Sequence, residues 1–372
     1  MSPIAPVPVA LIGLGGVGKA ILSQLLTPPL ASKFNVVLIA NSRLALSLPA
    51  ATGEAVTAAN FLPTLEAQGK PYDVPSIVKL LASHADGKGV LIDSTGSDDV
   101  PAQYPAILAA GVHVVTPNKK GLSGTQQLYS DIQAASFPNT RSLLYGESTV
   151  GAGLPILSTL KDLVGTGDEI VKIEGVFSGT LSYIFNEYSK VEGGDVKFSD
   201  VVLIAKDKGY TEPDPRDDLS GTDVARKLTI LSRLIPGTPV LAEGCFSVPT
   251  QSLVPPVLEN ASTKDEYLQR LAEGDEYFAA LREEARKEGK VVRYVGVIDP
   301  KAGKVECKLG KYDFDHPFAT ALKGSDNIIS FTTKRYSPQP LLVQGAGAGA
   351  DVTAMGCTSD LLRIYERLRT VA

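Results

Sequence analysis

Residues 9 to 22 read Val9-Ala10-Leu11-Ile12-Gly13-Leu14-Gly15-Gly16-Val17-Gly18-Lys19-Ala20-Ile21-Leu22. An apolar run passes into a G-x-G-x-x-G pattern and then into residues that favour a helix. Gly13 permits a tight turn, Gly15 lets the backbone approach a pyrophosphate, and Gly18 lets the helix pack closely on a sheet. Gly16 and Val17 open that helix, where backbone amides and the helix dipole favour phosphate groups. The stretch therefore predicts a strand, a turn and a helix that together bind a dinucleotide.

Alternating strand and helix patterns continue from this stretch to about residue 150. The further apolar segments that we predict as strands are 34–40, 89–95, 112–116 and 143–145. This alternation is typical of an α/β fold with a Rossmann-type, doubly wound parallel sheet, which binds ligands at the carboxyl ends of its strands. Thr95 and Gly96 lie at the carboxyl end of the strand 89–95, and Lys119 follows the strand 112–116, so we expect all three at the cofactor.

The second predicted strand ends at Asn41-Ser42-Arg43. An NAD-specific site usually places an acid here, against the adenine ribose. Asn41 would not repel a 2′-phosphate, and Arg43 could pair with one. We therefore expect NADP to be accepted as well as NAD. The alternative is that Asn41 caps a turn and Arg43 is solvated.

Length and composition favour a globular protein of two domains. The chain has 372 residues, 44% of them hydrophobic and 21% charged, and is too long for one ordinary core. Its 36 Lys and Arg against 41 Asp and Glu give a net charge of -5, which offers no basic field to nucleic acid or an anionic membrane. No apolar run approaches the roughly 20 residues of a membrane span. We expect small-molecule partners and a homodimer.

The cysteines, the histidines and the N-terminus limit the location and the chemistry. Cys245, Cys307 and Cys357 are scattered and form no C-x-x-C spacing, which fits reduced thiols in a cytoplasmic protein. The apolar N-terminus has no charge before Lys19, so it lacks the basic region of a signal peptide. The three histidines are isolated, which gives little support to a Ser-His-Asp triad or a His-based metal site.

From about residue 151 the pattern changes. Several helices precede apolar segments that have no helices between them and that we predict as strands, near 291–298, 303–309, 326–333 and 340–344. This order predicts an α+β domain with a mainly antiparallel sheet. We expect this domain to serve substrate binding and dimerisation. We expect domains at 1–150 and 151–340, and a segment, 341–372, that returns to the first domain. Its glycine-rich turn would bring Gly349 to the cofactor; the alternative is a flexible linker.

An acidic segment stands out in the second domain. It reads Tyr210-Thr211-Glu212-Pro213-Asp214-Pro215-Arg216-Asp217-Asp218. Farther on, Asp223 and Lys227 lie four residues apart on a predicted helix and project toward its half-buried side. The alternative is a solvated acidic loop followed by an ordinary ion pair on a helix.

These motifs carry a family resemblance that spans nearly the whole chain. The segments that carry it are Gly13-Leu14-Gly15-Gly16-Val17-Gly18, Thr116-Pro117-Asn118-Lys119-Lys120, Glu147-Ser148-Thr149-Val150-Gly151-Ala152-Gly153-Leu154-Pro155, Phe177-Ser178-Gly179-Thr180, and 209–218 with Asp223 and Lys227. The set closely resembles homoserine dehydrogenase of the short monofunctional type found in fungi. The resemblance implies reduction of L-aspartate 4-semialdehyde to L-homoserine with NADH or NADPH, in the biosynthesis of threonine, methionine and isoleucine.

The resemblance also implies roles for individual residues. Lys227 would be the proton donor and Lys119 a second catalytic lysine, and the residues alone do not decide which of them gives up the proton. Glu212 would bind the substrate ammonium. The other residues implied at the substrate are Tyr210, Asp217, Asp218, Asp223, Gly179 and Thr180. A monovalent cation, usually sodium, would lie near Glu147, Val150, Ala152 and Leu154, a segment that without the resemblance could equally be a hinge between domains.

Two other functions compete with this one. Aspartate-semialdehyde dehydrogenase shares the two-domain plan but needs a nucleophilic cysteine at the domain junction. None of the three cysteines follows the nucleotide domain in a turn flanked by Gly or Asn, as that nucleophile would. A non-enzymatic NADP(H) sensor would be expected to lose catalytic residues. All four of those that mark catalysis are present, namely Lys119, Glu212, Asp223 and Lys227.

Overall fold

The computed structural model describes residues 5–48, 57, 59–84 and 88–371, with residues 370 and 371 described by their backbone alone. The chain divides into two compact units. The first unit comprises Met1–Pro155 and Gly349–Ala372, and the second comprises Ile156–Ala348.

The strands, in chain order, are β1 (Val7–Ile12), β2 (Phe34–Ala40), β3 (Ala45–Ser47), β4 (Val90–Asp93), β5 (His113–Val115), β6 (Leu144–Tyr145), β7 (Ile170–Val176), β8 (Lys290–Asp299), β9 (Lys304–Asp313), β10 (Asp326–Thr333) and β11 (Leu341–Ala346). The α-helices are α1 (Gly16–Leu25), α2 (Phe61–Gln68), α3 (Val74–His84), α4 (Tyr104–Ala109), α5 (Lys120–Ser123), α6 (Gln126–Ala135), α7 (Leu157–Gly165), α8 (Gly179–Tyr188), α9 (Phe198–Asp207), α10 (Pro215–Leu219), α11 (Thr222–Ser232), α12 (Lys264–Arg270), α13 (Asp275–Lys287), α14 (Pro317–Thr320) and α15 (Ala350–Val371). Among the described residues, no helix is both long enough and apolar enough to cross a membrane.

The first unit contains a six-stranded sheet in the order β3-β2-β1-β4-β5-β6. All neighbours run parallel except β3, which is antiparallel to β2. Every residue of β1 and β4 is buried, which explains why these strands read as continuous apolar runs rather than as alternating patterns. Apolar clusters cover both faces of the sheet, one including α1 and α15 and the other including α3 and α4. The predicted Rossmann-type sheet is confirmed.

Two glycines of the opening motif are required by the turn itself. Gly13 adopts φ +97°, a left-handed conformation that residues with a Cβ rarely adopt. A Cβ on Gly18 would overlap the carbonyl oxygen of Gly13. These glycines therefore let α1 begin directly against the end of β1.

The second unit contains a five-stranded sheet in the order β11-β10-β7-β8-β9. All of its neighbouring strands pair antiparallel, as the absence of helices between the later strands predicts. β8 is buried along most of its length, and α8, α11 and α13 pack on it. The α+β prediction for this half of the chain is confirmed.

The boundary that we expected between residues 340 and 341 needs correction. β11 pairs antiparallel with β10, so the second unit runs on to Ala348 and the chain re-enters the first unit only at Gly349. The first boundary likewise lies after Pro155 rather than after residue 150. β11 alternates between half-buried and exposed positions, which is typical of an edge strand and gives a weak apolar signal.

Candidate functional site

The candidate cofactor residues of the first unit lie where its parallel strands end. Gly15 caps the N-terminus of α1 and is followed by Gly16 and Val17. A Cβ added to Gly15, or to Gly96 after β4, would meet no atom within 4 Å. The backbone is therefore open to a ligand at these two glycines, and the exposed amides of the α1 N-terminus suit a pyrophosphate.

Asp93, which we did not predict, anchors the loop that carries Thr95 and Gly96. Its side chain is fully buried, and its Oδ1 accepts hydrogen bonds from Thr95 N at 2.9 Å and Thr95 Oγ1 at 2.7 Å. Its Oδ2 accepts from Tyr104 OH at 2.6 Å and Asn118 Nδ2 at 3.2 Å. Burial raises the pKa of Asp93, and these hydrogen bonds to the carboxylate counteract part of that shift.

Asn118 links this network to Lys119. Its Nδ2 also donates to the carbonyl oxygen of Ser97 at 2.9 Å, and its own N–H donates to Thr116 Oγ1 at 2.9 Å. Lys119, the next residue, occupies the N-cap position of α5 and is half-buried. The loops after β4 and β5 are therefore held together, which brings Gly96 and Lys119 into one hydrogen-bonded edge of the sheet. An acid at the end of a buried apolar strand was the signal that could have revealed Asp93.

Asn41 caps the turn after β2. Its Oδ1 accepts hydrogen bonds from the N–H groups of Arg43 and Leu44, each at 2.8 Å. Its carbonyl oxygen accepts from Tyr72 OH at 2.8 Å, and Arg43 is exposed. The side-chain oxygen of Asn41 therefore caps this turn, as the alternative states, and the neighbouring Arg43 side chain is exposed to solvent.

The segment proposed to hold a cation is a compact turn. Glu147–Thr149 forms a single 3-10 turn, and Ala152 adopts φ +56°, the one positive φ outside glycine among the described residues. Glu147 is buried, and its Oε2 accepts from Arg363 Nη1 at 3.0 Å. Its backbone N–H donates to Asp360 Oδ2 at 2.8 Å. We did not predict Arg363 and Asp360, which lie on α15 and so attach that helix to the turn.

Gly349 immediately precedes α15 and has φ +123°. A Cβ on Gly16 would lie 3.9 Å from that of Ala350, which shows that α15 begins beside the opening turn of α1. Within the described part of the chain, no three His, Cys, Asp or Glu side chains come together as a metal site. The carboxylates beside this turn are those of Glu147 and Asp360, and oxygen ligands of this kind suit a hard ion better than a transition metal.

In the second unit, α11 brings Lys227 and Asp223 together. Gly221 precedes the helix with φ +74°, and a Cβ on this residue would overlap Tyr294 OH. Lys227 Nζ lies 2.7 Å from Asp223 Oδ2 and donates to the carbonyl oxygen of Phe177 at 2.7 Å. The lysine side chain is 8% exposed and the aspartate 42% exposed. The ion pair therefore joins a buried cation to a carboxylate that reaches solvent.

The carboxylates of the acidic segment differ in their exposure and in their hydrogen-bond partners. Asp214 is engaged by Arg216, whose Nη2 lies 2.6 Å from Asp214 Oδ2, and Asp217 is exposed. Asp218 is half-buried and accepts from the N–H of Glu212 at 2.8 Å. Burial raises the pKa of Asp218, and the charges of Glu212 and Asp223 raise it further. Glu212, Asp218 and Asp223 thus form one electronegative group.

The N-terminus of α8 lies next to this group. Thr180 Oγ1 donates to the carbonyl oxygen of Tyr210 at 2.6 Å, which ties the first turn of α8 to the acidic segment. Ser178 caps the helix by accepting from Leu181 N at 3.2 Å, and Gly179 is its first residue. A helix N-terminus beside a group of carboxylates suits a ligand that carries both a negative and a positive charge.

All three cysteines are buried thiols. Burial raises the pKa of Cys307 and of Cys357 to about 12, and it raises the pKa of Cys245 as well. Because the thiolate is the nucleophile, these shifts argue against the cysteine chemistry of an aspartate-semialdehyde dehydrogenase.

Comparison with known proteins identifies the family. The family model for homoserine dehydrogenase matches residues 155–362, and that for its NAD binding domain matches residues 13–145. The chain is 48% identical to the homoserine dehydrogenase of Emericella nidulans, covering 98% of this chain and 100% of that one. It is 43% identical to the Saccharomyces cerevisiae homoserine dehydrogenase, covering 97% and 98%.

A solved structure also shares the fold. A hyperthermophilic archaeal homoserine dehydrogenase in complex with NADPH superposes with a TM-score of 0.69 at 20% identity, covering 97% of this chain and 98% of that one. The two family models together span both units. The chain therefore belongs to the homoserine dehydrogenase family of NAD(P)-dependent oxidoreductases.

Proposed function

We propose that this chain reduces L-aspartate 4-semialdehyde to L-homoserine with NADPH or NADH, as a homodimer, in the biosynthesis of threonine, methionine and isoleucine. The observation that carries the proposal is the buried ammonium of Lys227, held by Asp223 and Phe177 O on the same unit as the electronegative group. The proposed reaction is the one that gives the homoserine dehydrogenase family its name, and the chain belongs to that family.

The substrate carries an ammonium and a carboxylate, and the second unit offers partners for both. Glu212 is exposed and has Asp218 bound to its backbone, so its carboxylate can receive the ammonium. Gly179 and Thr180 open α8, whose N-terminal amides favour the carboxylate. In this role Asp218 and Asp223 add negative potential, and the exposed side chains of Tyr210 and Asp217 would contact the substrate from the same segment.

Reduction of an aldehyde requires a proton for the developing alkoxide. The nicotinamide cofactor, when bound, supplies the hydride. A lysine ammonium is a compact donor that stabilises the alkoxide charge and then protonates it. Lys227 is suited to this role because Asp223 and Phe177 O fix two of its three N–H directions. Lys119, at the edge of the nucleotide-binding sheet, serves as the second cationic group.

Turnover by the purified protein tests the proposed function. The absorbance of NADPH and of NADH would be followed with L-aspartate 4-semialdehyde, and the reverse reaction with L-homoserine at high pH. Turnover in both directions supports the proposal. Cofactor binding without turnover in either direction would favour a nucleotide sensor instead.

Asn41→Asp is expected to shift the cofactor preference toward NADH. The aspartate keeps an oxygen for the two N–H groups of the turn, so the cap survives, but its charge repels a 2′-phosphate. We expect kcat/KM for NADPH to fall by about tenfold relative to NADH, or roughly 1.4 kcal/mol. Steady-state kinetics with both cofactors measure this. Equal effects on both would mean that Asn41 does not face the adenine ribose.

A monovalent cation, sodium by preference, is proposed near Glu147, Val150, Ala152 and Leu154. One buried carboxylate supplies charge, and the turn around Ala152 can direct main-chain carbonyls to one point. The contact of Glu147 with Arg363 places a second positive charge on the same carboxylate. We therefore expect a weakly held ion that assists the packing of α15 on the turn.

Sodium is expected to raise Tm of the wild type more than choline does at equal ionic strength, because an ion that binds only the native state stabilises it. Glu147→Gln should remove most of that difference, since glutamine keeps an oxygen for Arg363 but loses the charge. Thermal unfolding in the two chloride salts measures both effects. An identical response of the wild type to sodium and choline would leave residues 147–154 as a structural turn alone.

A further inference from the structure

Asn327 is a buried polar residue that the proposed chemistry does not yet use. It lies in β10 among apolar neighbours such as Ile328 and Ile329 and is fully buried. Its Nδ2 donates to the carbonyl oxygen of Phe177 at 3.0 Å. Within the described residues its Oδ1 has no hydrogen-bond partner. A buried acceptor without a partner is costly, so the position calls for an explanation other than packing.

The carbonyl oxygen of Phe177 is shared. It accepts from Lys227 Nζ at 2.7 Å as well as from Asn327, so both of its lone pairs are used. The orientation of the Asn327 amide follows from this contact, because a flipped amide would set its oxygen against the oxygen of Phe177. Asn327 therefore fixes the direction of the carbonyl that holds the lysine.

The backbone of Gly347 lies against the same amide. A Cβ on Gly347 would overlap the carboxamide of Asn327, so the glycine-rich segment after β11 is shaped to fit this side chain. β10 also pairs with β7 so that Ile328 faces Val176, which brings Asn327 alongside Phe177. The amide thus lies between Phe177, which follows β7, and Gly347, which follows β11.

We propose that Asn327 is a positioning residue for Lys227, acting through the carbonyl oxygen of Phe177. This inference rests on the proposed role of Lys227 as proton donor. The hydrogen bond from Asn327 restrains the peptide group after Phe177, and through it the ammonium of Lys227. Without Asn327, the carbonyl keeps a single side-chain donor and the ammonium is left with Asp223 as its better-fixed partner. The donor side of the amide serves this purpose, while its Oδ1 has no hydrogen-bond partner among the described residues.

A double-mutant cycle with Asn327→Leu and Lys227→Met tests the inference, since leucine approximates the shape of asparagine without its donor. We expect Asn327→Leu to lower the single-turnover rate constant for reduction by at least about tenfold, with KM for NADPH changed by less than about threefold. In the Lys227→Met background the same change should lower kcat by less than about twofold, because residues that act through one another are not additive.

Asn186→Leu is the matched control. Asn186 lies in α8, its Nδ2 donates to the carbonyl oxygen of Gly324 at 3.0 Å, and its Oδ1 also lacks a partner among the described residues. That carbonyl does not bind Lys227, so Asn186→Leu should leave kcat within about twofold of the wild type while lowering Tm to a similar extent. Asn327→Asp gives a second, shape-preserving variant. Its kcat should fall more steeply as pH rises, because only the protonated acid can donate to Phe177 O.

Three outcomes separate the inference from the proposed function. Normal kcat in both Asn327→Leu and Asn327→Asp would overturn the positioning role. Losses that multiply in the double mutant would also overturn it, while a slow Lys227→Met would leave the proton-donor role standing. If Lys227→Met itself kept the wild-type kcat, the proposed function of Lys227 would fail instead.

Discussion

Lys227→Met is expected to lower kcat for aldehyde reduction by at least about 100-fold, the lower range for loss of a positioned proton donor. Methionine retains the length and much of the apolar stem of lysine, so the buried space is filled while the ammonium is lost. The region that matches the NAD binding domain, residues 13–145, lies on the other unit of the chain, so we expect the affinity for NADPH to change little. Single-turnover kinetics and a fluorescence titration with NADPH measure the two quantities.

The size of the effect follows from the surroundings of the ammonium. The lysine side chain is 8% exposed, so its charge acts in a medium of lower dielectric than water. Asp223 and Phe177 O already orient it, so little reorganisation is needed when the alkoxide forms. A mobile surface lysine would have neither advantage.

Lys190→Met supplies the control for this variant. Lys190 forms an ion pair with Glu187 at 2.8 Å, and its side chain is 45% exposed. An exposed pair of this kind contributes little to stability, so kcat and Tm should both stay close to the wild type. If Lys227→Met and Lys190→Met behaved alike in kcat, the proton donor would have to be sought elsewhere, with Lys119 the first candidate.

Local glycine geometry explains why the nucleotide-binding half could be predicted from sequence. Gly13 and Gly18 are demanded by a turn that closes within six residues, so the G-x-G-x-x-G pattern records a short-range constraint. The fully buried strands β1 and β4 can likewise be located in the sequence as continuous apolar runs. Both signals are local in the chain, and the parallel sheet follows from them.

Contacts between distant segments were not predictable in the same way. Arg363 meets Glu147 across more than 200 residues of sequence, and Asn327 meets Phe177 across 150. The sequence around each partner does not indicate the contact, because the two partners of each pair are brought together only by the tertiary fold. The expected boundary at residue 341 has the same origin, because the strand near 340–344 was predicted from sequence but its pairing with β10 was not.

In the acidic segment, some features could be predicted from the local sequence and others could not. Its composition identified the carboxylates, and the spacing of Asp223 and Lys227 placed both on one side of α11. The sequence did not reveal that Arg216 engages Asp214, or that Asp218 binds the backbone of Glu212. Those contacts engage Asp214 and Asp218 and leave Glu212 and Asp217 as the exposed carboxylates, of which Glu212 is the one next to Asp218.

Glu212→Gln is expected to lower kcat/KM for L-aspartate 4-semialdehyde by at least about tenfold. Glutamine keeps the shape and the backbone N–H that donates to Asp218, but it loses the charge that pairs with the substrate ammonium. A hydrogen bond to a charged group is worth roughly 1.5 to 3 kcal/mol, which corresponds to about 10- to 150-fold in kcat/KM. Initial rates at saturating NADPH measure the change.

A small aldehyde that lacks the amino group separates recognition from structure. Such a substrate never uses the carboxylate, so its kcat/KM should change by less than about threefold in Glu212→Gln. Glu259→Gln, at an exposed position of the same unit, should affect neither substrate. Equal losses on both aldehydes would show that Glu212 maintains the acidic segment instead of binding the ammonium. A loss confined to the amino aldehyde would assign to Glu212 the contact that distinguishes a homoserine dehydrogenase from a general aldehyde reductase.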